Sequence, residues 1–160
     1  MDTPTTYRAI CFDLDGTLLP MDIDEFMEAY IKKLVVYAAS HGLDPARFGD
    51  ALKEGTQAMV LSDDDRTNKE VFWDEFYRVY GKENLGDVDV EAMADAFYLD
   101  KFNEIAEGFE GNPLVPVVLE TLREKGYPLV LITMPMFPKH AIENRVRWAG
   151  ADPDVFDRIT

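Results

Sequence analysis

Apolar and polar positions follow three different rhythms along this chain. Near the start, Ala9, Ile10, Cys11, Phe12 and Leu14 form a dense apolar stretch interrupted only by Asp13 before Asp15 follows. That density predicts a buried strand over about residues 8–14. A helical rhythm then takes over. Between Asp22 and Ser40, the residues Phe26, Tyr30, Leu34, Tyr37 and Ala38 fall on one stripe with charges opposite. A second helix is expected from Pro45 to about Leu61, where Asp44-Pro45 supplies a first-turn proline. Thr67-Asn68-Lys69-Glu70 has the capping-box form and opens a third, through Phe72, Phe76 and Tyr80 to Gly81. A fourth is predicted from Asp89 to Glu107, with Met93, Phe97 and Ile105 inward.

The rhythm changes again at Gly111-Asn112-Pro113, a turn signal. Leu114 to Lys125 reads as a short helix closed by Gly126. Tyr127 to Met134 reads as a second strand, whose core Leu129-Val130-Leu131-Ile132 predicts a central parallel strand buried on both faces. Pro138 starts a helix carrying Ile142, Val146 and Trp148, closed by Gly150. The plan is therefore strand, helical insertion, helix, strand, helix, an α/β arrangement without internal repeats. Two strands alone would both be edges with little sheet for helices to cover. A further strand after Phe156 is expected, and the chain reads as the N-terminal part of a larger fold.

Composition narrows the function. The chain has 160 residues, 47% of them hydrophobic, enough to bury a core. Its net charge of −15 argues against nucleic acid and anionic membranes as partners, which need basic patches. It also means that a metal or a local cation must offset the field for any anionic substrate. A single cysteine, Cys11, excludes a disulfide framework and fits a reducing, cytoplasmic setting. Its place in the apolar strand predicts a core residue. Residues 1–8 are polar and carry no signal-peptide pattern, and no run is long enough to span a bilayer.

Chemistry concentrates where the first apolar run ends, in Asp13-Leu14-Asp15-Gly16-Thr17. Ligands of open parallel α/β sheets bind at such strand tips. Strand alternation places Asp13 and Asp15 on the same side, and Gly16 permits an unusual turn conformation or a close approach. Two acids, a glycine and a hydroxyl suit a divalent cation with a phosphoryl group. Asp13 is placed to attack phosphorus and to share Mg²⁺, which takes oxygen ligands and keeps several waters. Asp15 can protonate a leaving alkoxide and later activate water. Thr133, ending the second strand, offers a hydroxyl at the same sheet edge.

These residues resemble the first two motifs of the haloacid dehalogenase-like hydrolase superfamily. The match is Phe12-Asp13-Leu14-Asp15-Gly16-Thr17-Leu18 for motif I and Leu131-Ile132-Thr133 for motif II. The resemblance implies a Rossmann-like parallel-sheet core from residues 1–20 plus 111–160, with an α-helical cap over 21–110. It implies Asp13 as nucleophile, Asp15 as acid and base, Thr133 as phosphate binder, and Mg²⁺ held by the Asp13 carboxylate and the Asp15 backbone carbonyl. The implied activity is a Mg²⁺-dependent phosphatase working on a small organic phosphate through a phospho-aspartate. Asp15 favours a phosphatase over a dehalogenase, because an alkoxide benefits from protonation and a halide does not.

Two departures stand beside the match. Many relatives carry Asn after the motif II Thr, where this chain has Met134. The family's Lys and distal acidic pair are expected beyond Thr160, since Lys139 follows motif II too closely to be that Lys. Without those groups catalysis by these 160 residues is expected to be impaired. A non-catalytic N-terminal fragment or interaction module is therefore an alternative, and a phospho-acceptor signalling domain a further one. The remaining candidates read as structural. Ser62-Asp63-Asp64-Asp65 lacks the glycine and distal Glu of a calcium loop, and His41 and His140 have no companion ligands. Phe72, Trp73, Phe76 and Tyr77 read as core of the cap, with Arg66, Asn68 and Lys69 on a loop that could meet substrate. An oligomer could complete the sheet.

Overall fold

A computed structural model of the chain describes residues 7–63 and 65–160. Two units emerge, Met1–Phe26 with Ala106–Thr160, and Met27–Ile105. In the first unit, β1 (Ile10–Phe12), β2 (Leu129–Leu131) and β3 (Arg158–Ile159) form a parallel sheet in the order β1-β2-β3. Ile10 pairs with Leu129 and Phe12 with Leu131, and the Ile132 N–H extends this ladder to the Phe12 carbonyl at 2.8 Å. The expected strand after Phe156 is β3. Asp157 locks it on, accepting the Leu129 N–H and the Arg123 guanidinium, both at 2.8 Å.

The strands are shorter than the apolar runs that announce them, for a hydrogen-bonding reason. Leu14 already belongs to a turn, its carbonyl accepting the N–H groups of Thr17 and Leu19. At the end of β2, the Thr133 N–H donates to the Thr160 hydroxyl at 3.1 Å instead of to a neighbouring strand.

Between β1 and β2 lies α5 (Leu114–Glu124), and between β2 and β3 lies α6 (Lys139–Trp148). Parallel crossovers stepping in one direction deliver their helices to the same face of a sheet. Val115 and Leu119 of α5 and Ile142 and Val146 of α6 accordingly form one core with Leu129 and Leu131, against which Ile10, Phe12 and Ile159 pack. This arrangement corrects two expectations. Cys11 is exposed, not a core residue. β2 is central but buried on one face only, with Leu129 and Leu131 fully buried and Ile132 half exposed. Pleat alternation turns Cys11 and Ile132 away from the side that α5 and α6 cover.

The second unit is helical. α1 (Ile23–Ser40) begins in the first unit and continues into the second, followed by α2 (Pro45–Leu61), α3 (Asn68–Tyr80) and α4 (Val90–Asp100). Its starts are local. Asp44 caps α2 with Pro45 in the first turn, and Thr67 with Glu70 forms a complete capping box on α3. α2 and α3 approach closely at Gly55, where a methyl group would lie 3.0 Å from the Phe72 ring. Phe48 and Phe76 meet edge to face across the same pair, with centroids 5.3 Å apart. Tyr30 and Tyr98 share a buried hydroxyl hydrogen bond of 2.7 Å. The fourth helix departs from expectation, because α4 ends at Asp100 and a 3-10 segment, Phe102–Gly108, carries the chain on. The tighter winding still buries both Phe102 and Ile105, as helix ends often do. Among the described residues, no helix is long and apolar enough to cross a membrane.

Candidate active site

The turn after β1 is built from the inside out. Leu14 and Leu19 are fully buried and Leu18 nearly so, anchoring the loop by its apolar residues. The Gly16 N–H reaches the Leu19 carbonyl at 2.9 Å, and the Leu19 N–H returns to Leu14 at 2.9 Å. Gly16 has φ of +77°, with nothing within 4 Å of where a Cβ would sit. Glycine is required here by backbone conformation, not by space. Because β1 stops at Phe12, this turn and not the strand pleat orients both acids. Asp13 is exposed, and its Oδ2 accepts the Thr17 hydroxyl at 3.0 Å. Asp15 is turned inward, with a side chain 19% exposed.

What receives Asp15 is a residue that sequence reasoning missed. Arg145 of α6 is 1% exposed and donates from Nη1 to Asp15 Oδ2 at 2.6 Å. Its guanidinium lies over the Phe137 ring at 4.6 Å and the Phe26 ring at 5.6 Å, a cation–π setting that suits a buried Arg. A signal for it existed. Ala141, Ile142, Arg145 and Val146 make up the buried face of α6, so this arginine sits on an apolar stripe.

Burial pushes the Asp15 carboxyl up from the usual carboxylate range. The Arg145 charge and hydrogen bond pull it back, and neighbouring Asp13 adds a smaller upward push. The net direction is up, which favours a carboxyl able to hold a proton.

Thr133 follows β2 directly and is 7% exposed. Parallel pairing of Phe12 with Leu131 sends Asp13 and Thr133 off the same end of the sheet from adjacent strands. Met134, which follows Thr133, is exposed. A family model of haloacid dehalogenase-like hydrolases matches residues 7–153. The chain belongs to this family. No curated protein matches it.

In this hydrolase the metal question turns on oxygen donors. Among the described residues, no three His, Cys, Asp or Glu side chains converge as a metal site. Asp13 offers an exposed carboxylate, and no hydrogen bond among the described residues ends on the Asp15 carbonyl. One carboxylate and one carbonyl fit a Mg²⁺ ion that keeps several waters.

Lys139 is exposed and pairs with Glu143 at 3.4 Å. His41 follows α1 directly, its Nδ1 at 2.9 Å from the Tyr37 carbonyl. Ser62, Asp63 and Asp65 are exposed, and Asp64 lies outside the described residues. Phe76 is fully buried in the helical unit, with Phe72 stacked on it and Trp73 and Tyr77 meeting it edge to face.

Proposed function

We propose that this hydrolase is a Mg²⁺-dependent phosphatase acting on a small organic phosphate, with Asp13 as nucleophile. The reading is carried by one observation: an exposed carboxylate at the tip of β1 has, two residues on, an inward carboxyl whose proton affinity is raised. In the proposed reaction an Asp13 oxygen bonds to phosphorus as the bond from phosphorus to the leaving-group oxygen breaks. Asp15 gives its proton to that oxygen, then takes one from the water that displaces phosphate from Asp13. Thr133 donates its hydroxyl to a phosphoryl oxygen. The Asp13 carboxylate and the Asp15 carbonyl would hold Mg²⁺, whose part is to neutralise charge on the phosphoryl oxygens. The helical unit Met27–Ile105 is assigned the role of the cap expected over 21–110, excluding water and choosing the substrate. A cytoplasmic setting belongs to the same proposal.

The test is phosphate release from p-nitrophenyl phosphate, with and without Mg²⁺. Asp13→Asn is expected to reduce the rate by at least about a thousandfold, as loss of a covalent nucleophile does. Full activity in that variant overturns the assignment. A folded wild-type chain that releases no phosphate supports the non-catalytic alternative instead.

A further inference from the structure

Five apolar residues in succession, Met134-Pro135-Met136-Phe137-Pro138, follow Thr133 in a chain of which 29% is charged. They form the loop that joins β2 to α6, at the end of the sheet from which Asp13 and Thr133 emerge. Both ends of this loop are tied down. The Thr133 N–H donates to the Thr160 hydroxyl at 3.1 Å, and the Phe137 ring lies against the buried Arg145 guanidinium at 4.6 Å. Between those anchors the Met136 N–H donates to the Met134 carbonyl at 2.8 Å, closing a tight turn about Pro135. Met134 and Pro135 are thereby held out at the sheet edge, with Met134 65% exposed and Met136 half-buried. Neighbouring Cα atoms are about 3.8 Å apart, so the Met134 side chain starts one residue from the hydroxyl assigned to the phosphoryl group. Contiguous exposed apolar residues beside polar groups mark a surface that contacts a ligand.

We propose that Met134 is a specificity-determining residue whose thioether side chain, with Pro135 and Met136, receives an apolar organic group of the phosphate ester. The inference rests on the assignment of Thr133 to the phosphoryl group made above. It names the substrate class of that site, an ester whose carbon skeleton beside the phosphate is aryl or alkyl, not a sugar or polyol. Met and Pro side chains offer no hydrogen-bond donor to a hydroxyl-rich substrate. The unbranched thioether adapts to irregular apolar surfaces and makes favourable contacts with aromatic ring edges. The net charge of −15 does not enter this choice, because competing esters carry the same phosphate. The contact forms alike in the bound ester and in its transition state, so it lowers KM and leaves kcat nearly unchanged.

Phenethyl phosphate and glycerol 1-phosphate both release a primary alkoxide, so they differ in the organic group and hardly in the chemistry. With Mg²⁺ present, kcat and KM are measured on both for wild type, Met134→Gln and Met134→Leu. Gln keeps the length of Met and adds an amide, whereas Leu keeps the apolar character. Because Met134 is exposed, neither variant is expected to shift the melting curve. Wild type is expected to favour the phenethyl ester in kcat/KM by about 10-fold, the scale on which apolar contacts discriminate. Met134→Gln is expected to reduce that preference about 5-fold through KM, and Met134→Leu to keep it within about 2-fold. Calorimetry with the two corresponding phosphonates, in which a methylene replaces the ester oxygen, reads the same preference as a ratio of Kd without turnover. A wild type that favours glycerol 1-phosphate, or a preference unchanged in Met134→Gln, overturns the role of Met134 and leaves the phosphatase reading intact. Phosphonate binding with the expected preference, but no phosphate released from either ester, overturns the phosphatase reading alone. A chain that neither binds nor hydrolyses overturns both.

Discussion

The buried pair of Asp15 and Arg145 makes an asymmetric prediction about stability. Asp15→Asn keeps the shape of the side chain and removes its charge. Arg145 is 1% exposed and remains charged at any accessible pH, so it cannot respond by releasing a proton. Removing one partner of a buried ion pair costs about 3–5 kcal/mol. The Asn carbonyl can still accept from Nη1, which recovers roughly 1 kcal/mol of ordinary hydrogen bonding. Asp15→Asn should therefore destabilise by about 2–4 kcal/mol. The reverse change behaves differently. Arg145→Met places an apolar chain on an apolar face and leaves a carboxyl that is partly exposed and already biased by burial toward its neutral form. Its cost should be about 1 kcal/mol, in the range where buried pairs are replaced without much loss. The double variant should resemble Arg145→Met alone, giving a coupling of about 2–4 kcal/mol. Urea unfolding followed by Trp148 fluorescence in a Trp73→Phe background reads the unit that holds the pair. An Asp15→Asn midpoint equal to wild type, or higher than that of Arg145→Met, refutes the reasoning.

Two other predictions concern packing and titration. A methyl group at Gly111 would lie 2.5 Å from the Trp148 carbonyl oxygen and 3.0 Å from the Ala149 carbonyl carbon, both backbone atoms at the end of α6. Gly111→Ala should cost about 1–3 kcal/mol and lower the melting temperature by several degrees, and an unchanged melting curve contradicts that close approach. The Tyr77 phenol is pushed up to about 12 by burial first, then by its hydrogen bond to Glu91 and the charges of Glu91 and Asp89. A group raised in the folded state contributes stability below its unfolded value, about 10 for tyrosine, and loses it as pH rises through the folded value. Alkaline titration of phenolate absorbance should show a late step near pH 12 that disappears in Tyr77→Phe. The wild type should also lose stability relative to that variant between about pH 10 and pH 12.

Features specified over a few residues were legible in the chain itself. The turn at Asp13–Leu19 needs a glycine at one left-handed position and leucines to anchor it, and both are written locally. Helix starts at Asp44 and Thr67 depend on side chains reaching backbone N–H groups three residues away, so they too are local. The membership of β1 and β2 in one parallel sheet followed from the continuity of their apolar runs.

Other features depend on atoms far apart in sequence. Cys11 has the neighbours of a core residue, yet its exposure follows from α5 and α6 both falling on the opposite face, a property of strand order that no single run encodes. The ends of β1 and β2 were set by Leu14 and Thr160 capturing the next backbone groups. Arg145 was visible as a charge on an apolar stripe, but its carboxylate lies 130 positions earlier. Short-range hydrogen bonding and periodicity thus determined where the elements and the acidic turn would form. Only tertiary packing decided which charge Asp15 faces, because Coulomb attraction and burial act through space and not along the chain.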